Sequence, residues 1–244
     1  MTGVFPEKHT WFRTVCRQNG LEVDDEKLQK LREFESLLLS WNQSVNLISR
    51  KDEENLWLNH ILHSAAILFK LQIPANAPVV DLGTGGGFPG IPLKILQPNL
   101  SITLLDSTQK KIKVVQEIVH KLKLERTSVV WGRAEELGKQ KEYLGRYDII
   151  VARAVAPLGD LVKWSIPFLR KRSRTAISTR VDSQQRLVNV APPTLLALKG
   201  GELEGELKRV RSNKHIRSVQ VVELALAGSA HFELNDKKVV LVDF

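Results

Sequence analysis

The run Val79-Val80-Asp81-Leu82-Gly83-Thr84-Gly85-Gly86-Gly87-Phe88-Pro89-Gly90-Ile91-Pro92-Leu93 decides how this chain is read. A short apolar stretch ends in an acid, four glycines follow within five positions, and an apolar segment then opens around two prolines. Together they describe a buried parallel strand whose chain turns sharply into a helix. Glycine suits that turn because it takes positive φ freely and lets a ligand approach bare backbone. The helix is expected to aim its free N–H groups and positive dipole end at whatever binds there.

Working outward, residues 102–106 read as a second strand ending in Asp106, and 110–123 as an amphipathic helix with Ile112, Val115, Ile118, Val119 and Leu122 inward. Residues 127–131 and 147–154 read as a third and fourth strand, 158–169 as a helix, and 195–198 as a fifth strand leading into Lys199-Gly200-Gly201. Such alternation implies right-handed βαβ units and one doubly wound α/β sheet, mostly parallel. Residues 218–227 and 237–244 read as a closing antiparallel hairpin. Ligands in such sheets bind past the strands' carboxyl ends. That rule puts Gly83, Asp106, Ala134, Glu135 and Arg153 at one mouth.

Upstream, Leu28, Leu31, Phe34, Leu38 and Trp41 recur at steps of three or four, one stripe along a helix, with Asp24 or Asp25 as its N-cap. A second helix over 52–71 carries Leu56, His60, Ile61, Ala65 and Leu68 on one face. His60 and His63 sit one turn apart, but nothing is spaced to complete a metal shell; one is expected to be packed and the other exposed. The expected division is a helical cap over 1–73 and an α/β domain over 74–244.

The chain has 244 residues, 43% of them hydrophobic, enough for one large domain with a helical extension. No window approaches a membrane span, no apolar signal core opens the chain, and Cys16 is the sole cysteine. A cytoplasmic protein without internal disulfides is expected. A net charge of +9 and a pI near 9.7 point to a polyanionic partner, most simply nucleic acid. Residues 170–193 hold Arg170, Lys171, Arg172, Arg174, Arg180 and Arg186 against Asp182 alone, and read as a mobile basic insertion.

Gly85 to Gly90 matches the G-x-G-x-x-G dinucleotide pattern, with Asp106 about 20 residues on. Two details turn the reading toward a methyl donor. A carboxylate at Asp81 could receive an ammonium group, which NAD lacks and S-adenosylmethionine carries. Pro89 and Pro92 remove N–H donors that a pyrophosphate would need. Arg153, ending a buried strand, is either held by an acid such as Asp81 or serves the site. An NAD-linked oxidoreductase and a non-catalytic RNA-binding module with a vestigial nucleoside pocket are the alternatives.

With these residues in view, the chain resembles the bacterial glucose-inhibited division protein B family, small-subunit (16S) ribosomal RNA guanosine-N7 methyltransferases that use S-adenosylmethionine. The likeness rests on Trp41-Asn42 with Asn46-Leu47, His60-Ile61-Leu62, the 81–93 run, Leu104-Leu105-Asp106-Ser107 with Lys110-Lys111, Arg133-Ala134-Glu135, Arg153-Ala154 and Leu198-Lys199-Gly200. This chain has His63 where the family commonly has Asp, and Lys237-Lys238 stands for a basic pair near the last strand. The resemblance implies a class I methyltransferase fold behind an N-terminal cap. The chemistry of a sulfonium donor then assigns Gly83, Gly85 and Phe88 to its methionine part and sulfonium, with Asp81 near its ammonium, Asp106 to its ribose, and Ala134 and Glu135 to its adenine. Arg153 and Lys199, with Arg133 a weaker candidate, are the expected catalytic residues that hold the target nucleotide at the mouth, and Arg153 is expected to border the donor as well. The expected partner is 16S ribosomal RNA or the small ribosomal subunit, bound by a monomer without a metal.

Overall fold

The computed structural model describes residues 8–171, 187–224, 226 and 236–244. Most of the basic insertion and the far end of the 218–227 strand lie outside those residues.

Helical segments make up the described residues before the sheet. Helix α1 (Lys8–Gln18) is followed by α2 (Asp25–Asn42), whose N-cap Asp24 accepts from Lys27 N at 2.8 Å. The expected 52–71 helix is broken. A 3₁₀ turn covers Arg50–Asp52, a π-helical segment covers Trp57–Leu62, and only then does α3 (His63–Lys70) begin. Such π turns often mark functional sites, and within this one Asn59 O accepts from Arg153 Nη1.

The sheet follows. After a two-residue β1 (Leu71–Gln72) come β2 (Pro78–Leu82), α4 (Gly90–Leu96), β3 (Ser101–Asp106), α5 (Gln109–Lys121), β4 (Thr127–Trp131) and α6 (Ala134–Leu137). Next are β5 (Ile149–Arg153), α7 (Leu158–Phe168), β6 (Val188–Asn189), β7 (Thr194–Gly200), α8 (Glu204–Arg211), β8 (Ser218–Glu223) and β9 (Lys237–Asp243). The seven-stranded order is β4-β3-β2-β5-β7-β9-β8, parallel from β4 to β7 and antiparallel at β9 and β8. β1 and β6 pair separately, a small parallel unit that the sequence does not announce.

Side-chain alternation splits the core into two. Val79, Leu104, Val151, Leu196 and Leu241 pack under α1–α5, while Val80, Leu105, Ile150, Leu195 and Val242 pack under α7 and α8. The first cluster also takes in Phe12, Phe34 and Ile61. The N-terminal helices therefore share one core with a face of the sheet. Among the described residues, no helix is long and apolar enough to cross a membrane.

Candidate functional site

A cleft of about 1060 Å³ opens where β2, β3, β4 and β5 end. Gly83, Gly85, Phe88, Asp106, Ala134, Glu135 and Arg153, all expected at the site, line it. Asp81 and Lys199 do not.

Asp81 lies beneath the glycine loop. Its carboxylate is fully buried, and its Oδ2 accepts from Thr84 Oγ1 at 2.7 Å and Gly90 N at 2.9 Å. Oδ1 has no hydrogen-bond partner among the described residues, and burial pushes the pKa up to about 7 despite those two bonds. The close approach needs Gly90 bare, since a Cβ there would sit 2.7 Å from Asp81 Oδ2 and 2.3 Å from Leu104 Cδ2.

The expected fan of free amides at the α4 N-terminus is absent. Gly90 N is taken by Asp81, Ile91 N by Gly87 O, Pro92 has none, and Leu93 N bonds Pro89 O. Earlier in the loop Gly83 and Thr84 donate to Leu105 O, and Gly87 and Phe88 to Thr84 O. A loop whose amides are mostly taken up by its own carbonyls, by Asp81 and by β3 offers a shaped wall more than an anion cradle.

Asp106 is held rigidly at the cleft: Gly85 N donates to its Oδ2 at 2.9 Å and Thr108 N to its Oδ1 at 2.7 Å. An ionised carboxylate offers about four acceptor positions, so two remain for a ligand.

No carboxylate among the described residues forms an ion pair with Arg153. Its Nη1 donates to Asn59 O at 3.2 Å, its Nη2 to His60 Nδ1 at 2.7 Å, and its Cζ stands 4.9 Å from the Phe88 ring centroid. Because guanidinium only donates, Nδ1 must be the acceptor, which places the imidazole proton on Nε2. That nitrogen faces Asp52 Oδ2 at 3.5 Å. Burial, then the Arg153 charge, lowers the His60 pKa to about 4; burial does the same to His63, to about 3. Both histidines are packed against the cleft, so neither is the exposed one the sequence suggested.

Lys199 is turned away. Its Nζ donates to Ala156 O and to Glu206 Oε2, each at 2.9 Å, and Glu206 also accepts from Leu158 N. The lysine thus fastens the turn between β5 and α7. Within that turn Ala154 has φ 54°, and Val155 lies against Gly83, where an added Cβ would meet its methyl groups at 2.5 Å.

Sequence reasoning missed the wall that the cap contributes: Leu47, Ile48, Asp52, Asn59 and the two histidines line the cleft. Asn42 shapes this wall, its Oδ1 accepting from Leu47 N and Ile48 N while its Nδ2 donates to Glu53. The Trp41-Asn42 and Asn46-Leu47 pairs were the available signal. Lys237, at the start of β9, also reaches the cleft.

A glycine turn after the central strand, an acid ending its neighbour and an antiparallel last pair define a class I methyltransferase fold. A S-adenosylmethionine-dependent methyltransferase from Aquifex aeolicus shares that fold, with TM-score 0.52 at 15% identity over 80% of this chain and 98% of that one. A chain of the fibrillarin/Nop5p complex gives 0.51 at 14% identity, over 73% and 79%. More particularly, the chain belongs to the GidB family, described as rRNA small subunit methyltransferase G, whose model matches residues 27–179. Relatives of that description include one from Alkaliphilus metalliredigens, 39% identical over 64% of this chain, and one from Thermoanaerobacter sp., 34% identical over 82%. The chain spans 65% of the former's length and 80% of the latter's.

Proposed function

We propose that this protein transfers a methyl group from S-adenosylmethionine to N7 of a guanosine in 16S (small-subunit) ribosomal RNA. Family membership supports the donor and the RNA class, and the chemistry of the cleft supports the atom.

The Gly85–Asp106 bond carries the reading, because it ties the ends of β2 and β3 and leaves a braced carboxylate at the cleft with acceptor capacity for ribose hydroxyls. The self-satisfied glycine loop suits a nucleoside without a pyrophosphate. S-adenosylmethionine supplies an electrophilic methyl on a sulfonium. Gly83 and Gly85 line the part of the cleft that takes its methionine portion, and Phe88 walls it; Ala134 and Glu135 border the adenine end. Asp81, buried below, stiffens the loop without touching the ligand.

Guanine N7 presents its lone pair without losing a proton, so the site needs no general base. The cleft residues fit that demand: His60 is held neutral with Nδ1 occupied by Arg153. Arg153 spends two of its five N–H donors on the cap and keeps the rest for the target nucleotide. Positioning and exclusion of water then supply the rate, up to ~7–11 kcal/mol in ideal cases.

Calorimetry on Asp106→Ala tests the ribose assignment. Affinity for S-adenosylmethionine should fall at least tenfold, about 1.4 kcal/mol; unchanged affinity would remove it.

A further inference from the structure

The charge that marks this chain as a polyanion binder is not concentrated at the cleft. Lys111, Arg133, Arg153 and Lys237 line it, but so do Asp52, Asp106 and Glu135, which leaves the cavity close to neutral.

The opposite pole, at the amino ends of the parallel strands, is different. Arg146 lies just before β5, and Arg170 and Lys171 follow α7 where Leu169 bridges to Tyr147. Arg211, Lys214 and Arg217 occupy the end of α8 and its connection to β8. Arg217 N donates to Asp243 O, and Asp243 is the register partner of Thr194, the first residue of β7. All six cations are exposed. Against these six cations the same connections hold two carboxylates among the described residues, Asp148, 3.3 Å from Arg170, and the exposed Glu142. Asp243 is buried and bonded to Thr194 and Ser218.

The patch crosses four neighbouring strands, roughly 15 Å at the usual inter-strand spacing. β7 has seven residues, so the pole lies roughly 20 Å from the cleft.

We infer that the amino-end pole built by Arg146, Arg170, Lys171, Arg211, Lys214 and Arg217 grips RNA phosphates on a segment separate from the target nucleotide. The inference rests on the proposed function and deepens it. A fragment that only fills the cleft cannot reach this pole, so the substrate must be long or folded enough to touch both.

The test compares wild type with Arg211→Gln/Lys214→Gln/Arg217→Gln, on full-length small-subunit rRNA and on a stem-loop holding the target guanosine. Arg146→Gln/Lys171→Gln serves as an independent second variant should the first fold poorly. Expected is a raised KM on full-length RNA with kcat kept, and no change on the stem-loop. The log-log salt slope of RNA binding should also shrink by about 2 for three lost phosphate contacts. An unaltered slope, an equal loss on the stem-loop, or loss of binding only to anionic lipid vesicles would overturn the inference. A wild type that binds RNA but transfers no methyl would instead sink the functional reading, leaving the slope to judge the contact.

Discussion

Asp81 stands where a buried strand ordinarily carries an apolar side chain, and its surroundings set a pH dependence of known sign. A carboxyl raised to about 7 in the folded state favours its protonated form, so its contribution is complete below the unfolded value and is lost as pH rises from about 4 through 7. His60 and His63, lowered to about 4 and about 3, act in the opposite sense: their contribution is present above about 6.5 and is lost on acidification. The two trends overlap and partly cancel. Asp81→Asn removes one of them and keeps an acceptor for Thr84 and Gly90. Urea unfolding between pH 7 and 4.5 should then show this variant losing stability on acidification more steeply than wild type; parallel curves would contradict the assignment. Period two could have warned against placing Asp81 at the ligand, because it shares the face of Val79, under α4. Gly83, Asp106 and Arg153 were legible since strand ends and glycine turns mark the mouth directly. Pairings such as His60 with Arg153, 93 residues apart, arise only from folding.

Among the elements, the turn from β5 to α7 bears most directly on the target side of the cleft, and Lys199 and Glu206 secure it from two other elements. Lys199→Met leaves Ala156 O and Glu206 without their partner, a loss of about 1–3 kcal/mol for part-buried groups. Thermal unfolding should show that loss, and methyl transfer should fall in kcat while S-adenosylmethionine affinity holds. A variant as stable and as fast as wild type would show that the clamp is idle. The sequence suggested that Lys199 meets the substrate because it follows a strand at the mouth; the acceptor that turns it away sits in α8. That helix was not foreseen, although Glu204 and Glu206 at its start and Lys208, Arg209 and Arg211 at its end match the helix dipole. The parallel strands were easier, being apolar runs ending in turn residues. The 52–71 segment reads as one helix because its apolar spacing is continuous, and nothing local announces the π-helical start.

At the scale of the whole molecule, cap and sheet are one body around the cleft, joined by a shared core and by the Asn42-shaped segment against the glycine loop. A Cβ at Gly86 would lie 3.2 Å from Leu38 and Leu47 side chains, which shows how closely the cap is seated. The separation of a near-neutral cleft from a cationic far pole suits a substrate much larger than one nucleotide. The most direct measurement is mass spectrometry of small-subunit rRNA taken from cells lacking this protein, after incubation with purified protein and isotopically labelled S-adenosylmethionine. Label should appear as N7-methylguanosine at a single position, whereas no label, or label on any other atom, would contradict the proposed reaction.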